Sequence, residues 1–180
     1  TGQEVRIGEQ VDQVLGLALS PDGRTVVTSG NNSGGIMTFW DAVGQSLPVK
    51  REAHTDKVWA GAFSPDGQTL ASVSWDGKLG LWSVKERRNL DLLRGHKAHI
   101  ANVAFSPDGR TVATSSGDKT VRLWNLATRR EVAVLRPDGV WPLAFSPDGQ
   151  WLATGGGDTI RFWHAPTFEE IASAQKTNEK

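Results

Sequence analysis

The chain has 180 residues, with twenty Lys and Arg balancing twenty Asp and Glu, and this neutral charge gives no reason to expect nucleic acid or a membrane surface as partner. It has no cysteine, which excludes a disulfide framework and thiolate chemistry, and no apolar run approaches the length of a membrane span. No leader is expected from its first residues, and a cytoplasmic placement is the expectation. Eight Trp and twenty Gly, with no Tyr and one Met, point to short strands joined by tight turns.

Two markers repeat in step. Ser-Pro-Asp-Gly begins at Ser20, Ser64, Ser106 and Ser146, spacings of 44, 42 and 40 residues. Trp40, Trp82, Trp124 and Trp163 follow at spacings of 42, 42 and 39. Periods of this size mark stacked repeats. In the turn, Pro presets its own φ, Asp bonds the local backbone and Gly takes the left-handed conformation.

In chain order, residues 1–10 read as an outer strand, because Thr1–Val5 aligns with Thr128–Val132, the segment that follows Trp124. Repeats are expected at 11–53, 54–95, 96–136 and 137–165. The third is clearest, with β-prone runs at Ile100–Phe105, Thr111–Ser115, Thr120–Trp124 and Glu131–Leu135 separated by turn residues. Residues 166–180 follow as a tail. A fourth strand is expected there at Glu170–Ala174, or else a short helix capped by Thr167 with Glu170 three residues on; the helix is preferred. Four short strands per repeat make one blade of a β-propeller, and stacking buries both faces of each sheet. The fold class expected is all-β, a propeller of four blades.

These residues resemble the WD-repeat family over nearly the whole chain. Gly95-His96 and Trp40-Asp41 match its two signature dipeptides, and Ala53-His54, Trp82-Ser83, Trp124-Asn125 and Trp163-His164 are degenerate copies. The resemblance implies a hydrogen-bonded chain of His54, Ser72, Asp76 and Trp82 in blade 2, and of His96, Thr114, Asp118 and Trp124 in blade 3. Blade 4 keeps Thr154, Asp158 and Trp163, and blade 1 keeps Thr28 and Trp40. The sharp Ser-Pro-Asp-Gly repetition is similar to bacterial members.

Four blades is few for a family in which the resemblance implies roughly six to eight. Three closures are open: an eight-blade ring built by two chains as a homodimer, a small ring within one chain, or further blades of a longer array.

Catalytic motifs are absent from the sequence, and neither an enzyme, a cofactor nor a metal is expected. His96-Lys97-Ala98-His99 is the one close histidine pair, better read as structure than as a metal site. Trp59 and Trp141 each follow the Val that opens an innermost strand, and Trp75 precedes Asp76. The resemblance places all three near the face where such propellers take protein partners, with Lys57, His99, Asn102 and Lys119 as a polar rim. The competing reading folds these indoles into packing, or into the axial channel. Trp151 is read as packing. The function expected is a non-catalytic protein-interaction scaffold, the alternatives being a self-assembling half-propeller and an axial-channel ligand binder or hydrolase.

Overall fold

The computed structural model describes residues 8–9, 13–30, 34–44, 46–137 and 142–164. The predicted N-terminal strand, apart from Gly8 and Glu9, and the predicted tail lie outside the described residues, as does Trp141. Gly8 and Glu9 belong to no strand.

The described residues form fifteen strands and no helix. They build four antiparallel sheets in chain order. Blade 1 comprises β1 (Val14–Leu19), β2 (Thr25–Gly30), β3 (Ile36–Asp41) and β4 (Val49–Glu52). Blade 2 comprises β5 (Val58–Phe63), β6 (Thr69–Ser74), β7 (Lys78–Ser83) and β8 (Arg88–Arg94). Blade 3 comprises β9 (Ile100–Phe105), β10 (Thr111–Ser116), β11 (Thr120–Asn125) and β12 (Arg130–Leu135). Blade 4 has three described strands, β13 (Leu143–Phe145), β14 (Trp151–Gly156) and β15 (Thr159–His164). The innermost strands stand side by side, β1 with β5, β5 with β9 and β9 with β13.

Each Ser-Pro-Asp-Gly segment closes the first hairpin of its blade. In blade 3 the Ser106 hydroxyl donates to Asp108 at 2.5 Å and accepts the Thr111 N–H at 3.0 Å, while Gly109 sits at φ +70°. The hydroxyl holds the Asp108 carboxyl below the usual range, as Ser20, Ser64 and Ser146 do for Asp22, Asp66 and Asp148. The turns also touch from blade to blade: a Cβ added at Gly67, Gly109 or Gly149 would lie 3.5–3.6 Å from Pro21, Pro65 or Pro107 of the preceding turn.

Alternation along each strand divides a sheet into two faces. Val27, Met37 and Phe39 of blade 1 pack against Leu70 and Trp82 of blade 2. Ala71, Leu79 and Leu81 of blade 2 meet Val112 and Trp124 of blade 3, and Ala113 and Val121 of blade 3 meet Leu143 and Leu152 of blade 4. Three interfaces thus repeat one design, an apolar surface receiving the indole of the next blade.

Candidate functional site

Two hydrogen-bonded chains shape the loop end of the blades, opposite the Ser-Pro-Asp-Gly turns. In blade 2, His54 Nε2 lies 2.8 Å from Ser72 Oγ, which also accepts the Trp82 indole N–H at 2.9 Å. His54 Nδ1 faces Asp76 at 3.2 Å. Blade 3 repeats this with His96 Nδ1 2.9 Å from Asp118, and Nε2 2.8 Å from the Thr114 hydroxyl, which accepts the Trp124 N–H at 2.9 Å. With the hydroxyl oxygen accepting from the indole, its proton is directed at Nε2, and Nδ1–H donates to the carboxylate. The four-residue chains implied by the resemblance are therefore assembled in both blades. Blades 1 and 4 keep the indole-to-hydroxyl bond, Trp40 to Thr28 at 2.7 Å and Trp163 to Thr154 at 3.0 Å.

Burial pushes the Asp76 carboxyl up, but hydrogen bonds from His54 and from the Thr55 and Lys78 N–H groups overcome it and hold Asp76 far below the usual range. Asp118 is held equally low against its burial by Thr120, the Lys97 N–H and His96. Burial lowers the His96 imidazole despite Asp118, which keeps it neutral. Each carboxylate ties the loop entering its innermost strand to the turn between its second and third strands. The Gly80 Cα faces this chain so closely that a Cβ would lie 2.6 Å from Ser72 Oγ and 2.8 Å from Trp82 Nε1.

On that braced frame stands an aromatic cluster. Trp75 follows β6 directly, its N–H bonded to the Lys57 carbonyl at 3.0 Å. Its ring centroid lies 5.9 Å from that of Trp59 and 5.7 Å from that of His99, and Lys57 Nζ sits 5.2 Å above it. Trp59 is 37% and Trp75 45% exposed. Of the candidate residues, Lys57, Trp59, Trp75 and His99 thus come together across the junction of blades 2 and 3.

His99, expected in the polar rim, is half-buried. Position 117 of blade 3 corresponds to Trp75 of blade 2, and it is Gly. A Cβ there would lie 2.4 Å from His99 Cε1, so the missing side chain makes room for the imidazole beside Trp75. Asn102 turns its side-chain oxygen onto the Val103 N–H at 2.8 Å. Lys119 is exposed in the β10–β11 turn at φ +64°, where blade 2 has Gly77 at φ +75°. Trp151, read from sequence as packing, is instead exposed, lying against Phe162 and His164 on the far face of blade 4. His96 engages both ring nitrogens, and the described residues contain no group of three His, Cys, Asp or Glu side chains able to hold a metal ion.

Sheets repeated in series, with a His–hydroxyl–indole chain in the complete blades, define a β-propeller assembled from WD-type blades. The sequence profile described as "WD domain, G-beta repeat" matches residues 2–41, 46–83, 87–125 and 131–164. The chain belongs to this WD40 family.

Among curated relatives, it is 29% identical over 99 residues to the antiviral protein SKI8 of Saccharomyces cerevisiae, an alignment spanning 47% of this chain and 25% of that protein. It is 47% identical over 47 residues to a probable cytosolic Fe-S cluster assembly factor of Schizosaccharomyces pombe, covering 26% of this chain and 8% of the relative. It is 35% identical over 72 residues to pre-mRNA-processing factor 19 homolog 2 of Arabidopsis thaliana, covering 40% of this chain and 13% of the relative. The chain spans no more than a quarter of the length of these relatives. No helix among the described residues is long and apolar enough to cross a membrane.

Proposed function

We propose that this chain is a non-catalytic scaffold that holds a protein partner on the loop end of its blades, in the cytoplasm, with Trp59 and Trp75 as anchors. The observation that carries this reading is the stack of two half-exposed indoles, ordered before any partner arrives by Lys57, His99 and the backbone bond to Lys57. Large, rigid aromatic side chains contribute disproportionately to binding, because little rotamer freedom is lost when they are covered. Membership of the WD40 family supports the scaffold role. The His54 and His96 chains then serve the site indirectly, by fixing the loops that carry Lys57 and His99.

The test is selection of a displayed random-peptide library on the immobilised chain, followed by affinity measurements with Trp59→Ala and Trp75→Ala. The reading expects bound peptides to lose at least roughly tenfold in affinity with either variant, with unchanged circular dichroism. Peptides that bind both variants as tightly as the parent chain would overturn it.

A further inference from the structure

Blade 4 presents to solvent the positions that its sister blades bury. Ile160 is 73% and Phe162 67% exposed, whereas their counterparts Met37 and Phe39, and Leu79 and Leu81, are all within the core. Blade 1 shows the opposite face uncovered: Leu17 is 67% and Leu19 56% exposed, while Leu143, the counterpart of Leu17 in blade 4, is buried. The turn contacts give an independent reading. Gly67, Gly109 and Gly149 each have the preceding Pro beside them, but a Cβ at Gly23 would have nothing within 4 Å. Among the described residues, the side-by-side approach of innermost strands that joins β1, β5, β9 and β13 in series is not matched between β13 and β1. The described residues of the four blades form an open arc.

The two ends are complementary. The outer face of blade 4 is of the kind that, in blades 1 to 3, receives the next blade, and the outer face of blade 1 is of the kind that packs onto a preceding one. On the blade 4 face, a hollow of about 160 Å³ is lined by residues including Pro142, Ala144, Ala153 and Ile160. Trp151 lies beside Phe162 at the same face, where the other blades have Thr25, Thr69 and Thr111. Contiguous exposed apolar faces of this kind mark interaction surfaces.

We infer that the occupant of both faces is a second copy of this chain. Blade 4 of each copy seats on blade 1 of the other, so that the blade interface seen three times within the chain continues across two identical junctions. The product is a closed eight-blade ring with two-fold symmetry. Eight blades fall within the range that propellers adopt. A head-to-tail contact that closes after two copies ends in a dimer and not a filament.

The experiment is light scattering of the full chain over a concentration series, alone and as Leu17→Asp and Phe162→Asp variants. Both substitutions fall on exposed side chains, and circular dichroism checks that each variant keeps its fold. The parent chain is expected to approach twice its 19.5 kDa mass and to stop there. Each variant alone is expected to stay monomeric. An equimolar mixture of the two is expected to regain the dimer mass in part, since one junction then joins two unmodified faces. A parent chain that remains monomeric throughout overturns the proposal and leaves the faces to blades other than those of a second copy. A mass that keeps rising with concentration overturns ring closure, and variants that dimerise like the parent overturn the assigned faces.

Discussion

Blades 2 and 3 differ from blades 1 and 4 in two respects that coincide. The inner pair carries complete His–Asp–hydroxyl–indole chains and is packed on both faces; among the described residues the outer pair shows the indole-to-hydroxyl bond, and each of its blades has one open face. An imidazole hydrogen-bonded between a carboxylate and a hydroxyl contributes most where water is excluded from it, and neighbouring blades on both sides supply that exclusion. The loops braced this way are the ones that carry Lys57, Trp75 and His99, so rigidity and the candidate site share a location.

The largest test of this contrast is truncation of the repeated tryptophan. Trp82→Ala is expected to cost about 3–5 kcal/mol, the range for a fully buried aromatic. Trp163→Ala in the open blade 4 is expected to cost less than half as much, both read from urea midpoints. Equal losses would erase the distinction between inner and outer blades. Next, Ser72→Ala removes the hydroxyl that accepts from Trp82 and donates to His54, and about 1–3 kcal/mol is expected. Gly80→Ala should act on the same chain, because its Cβ would enter the space of Ser72 Oγ and Trp82 Nε1. The double variant should therefore lose less than the sum of the two.

Acidification probes the contrast by charge. The folded His96 has a lowered pKa, so the unfolded chain binds more protons once the pH falls below the unfolded value, about 6.5. Asp76 and Asp118 are also lowered, and their contribution is present above about pH 4 and lost as the pH drops further. All three groups therefore make stability fall with falling pH. The first part of that fall should flatten in His96→Gln, as seen in urea midpoints between pH 7 and 5. The smallest expected effect is at the aromatic cluster: Lys57→Ala should change stability by no more than about 1 kcal/mol, yet alter tryptophan fluorescence through Trp75.

The sequence made the blades legible because their turns demand particular residues: Ser, Pro, Asp and Gly each have a separate duty in the first hairpin, and the repeated Trp marks the third strand. His54 and His96 were legible for a similar reason, each with its Asp 22 residues on. The roles of Gly80 and Gly117 were not legible. Neither stands at a positive φ; each is small because a side chain from elsewhere occupies the space. The meeting of Trp75 with His99 was hidden too, since it crosses from one blade to the next. Ile160 and Phe162 look in sequence like Val121 and Leu123, and only the exposure seen in the structure, where no described blade covers them, separates a surface position from a core one.

Thiol labelling reads that separation of core from surface directly, because a chain without cysteine gives no background. Phe39→Cys, Leu81→Cys and Phe162→Cys would each be labelled in dilute solution, where single chains prevail. The open arc predicts rapid labelling of Phe162→Cys, and labelling of Phe39→Cys and Leu81→Cys only on unfolding. Protection of Phe162→Cys to the same degree as Leu81→Cys would contradict it, and would mean that the four blades close on themselves.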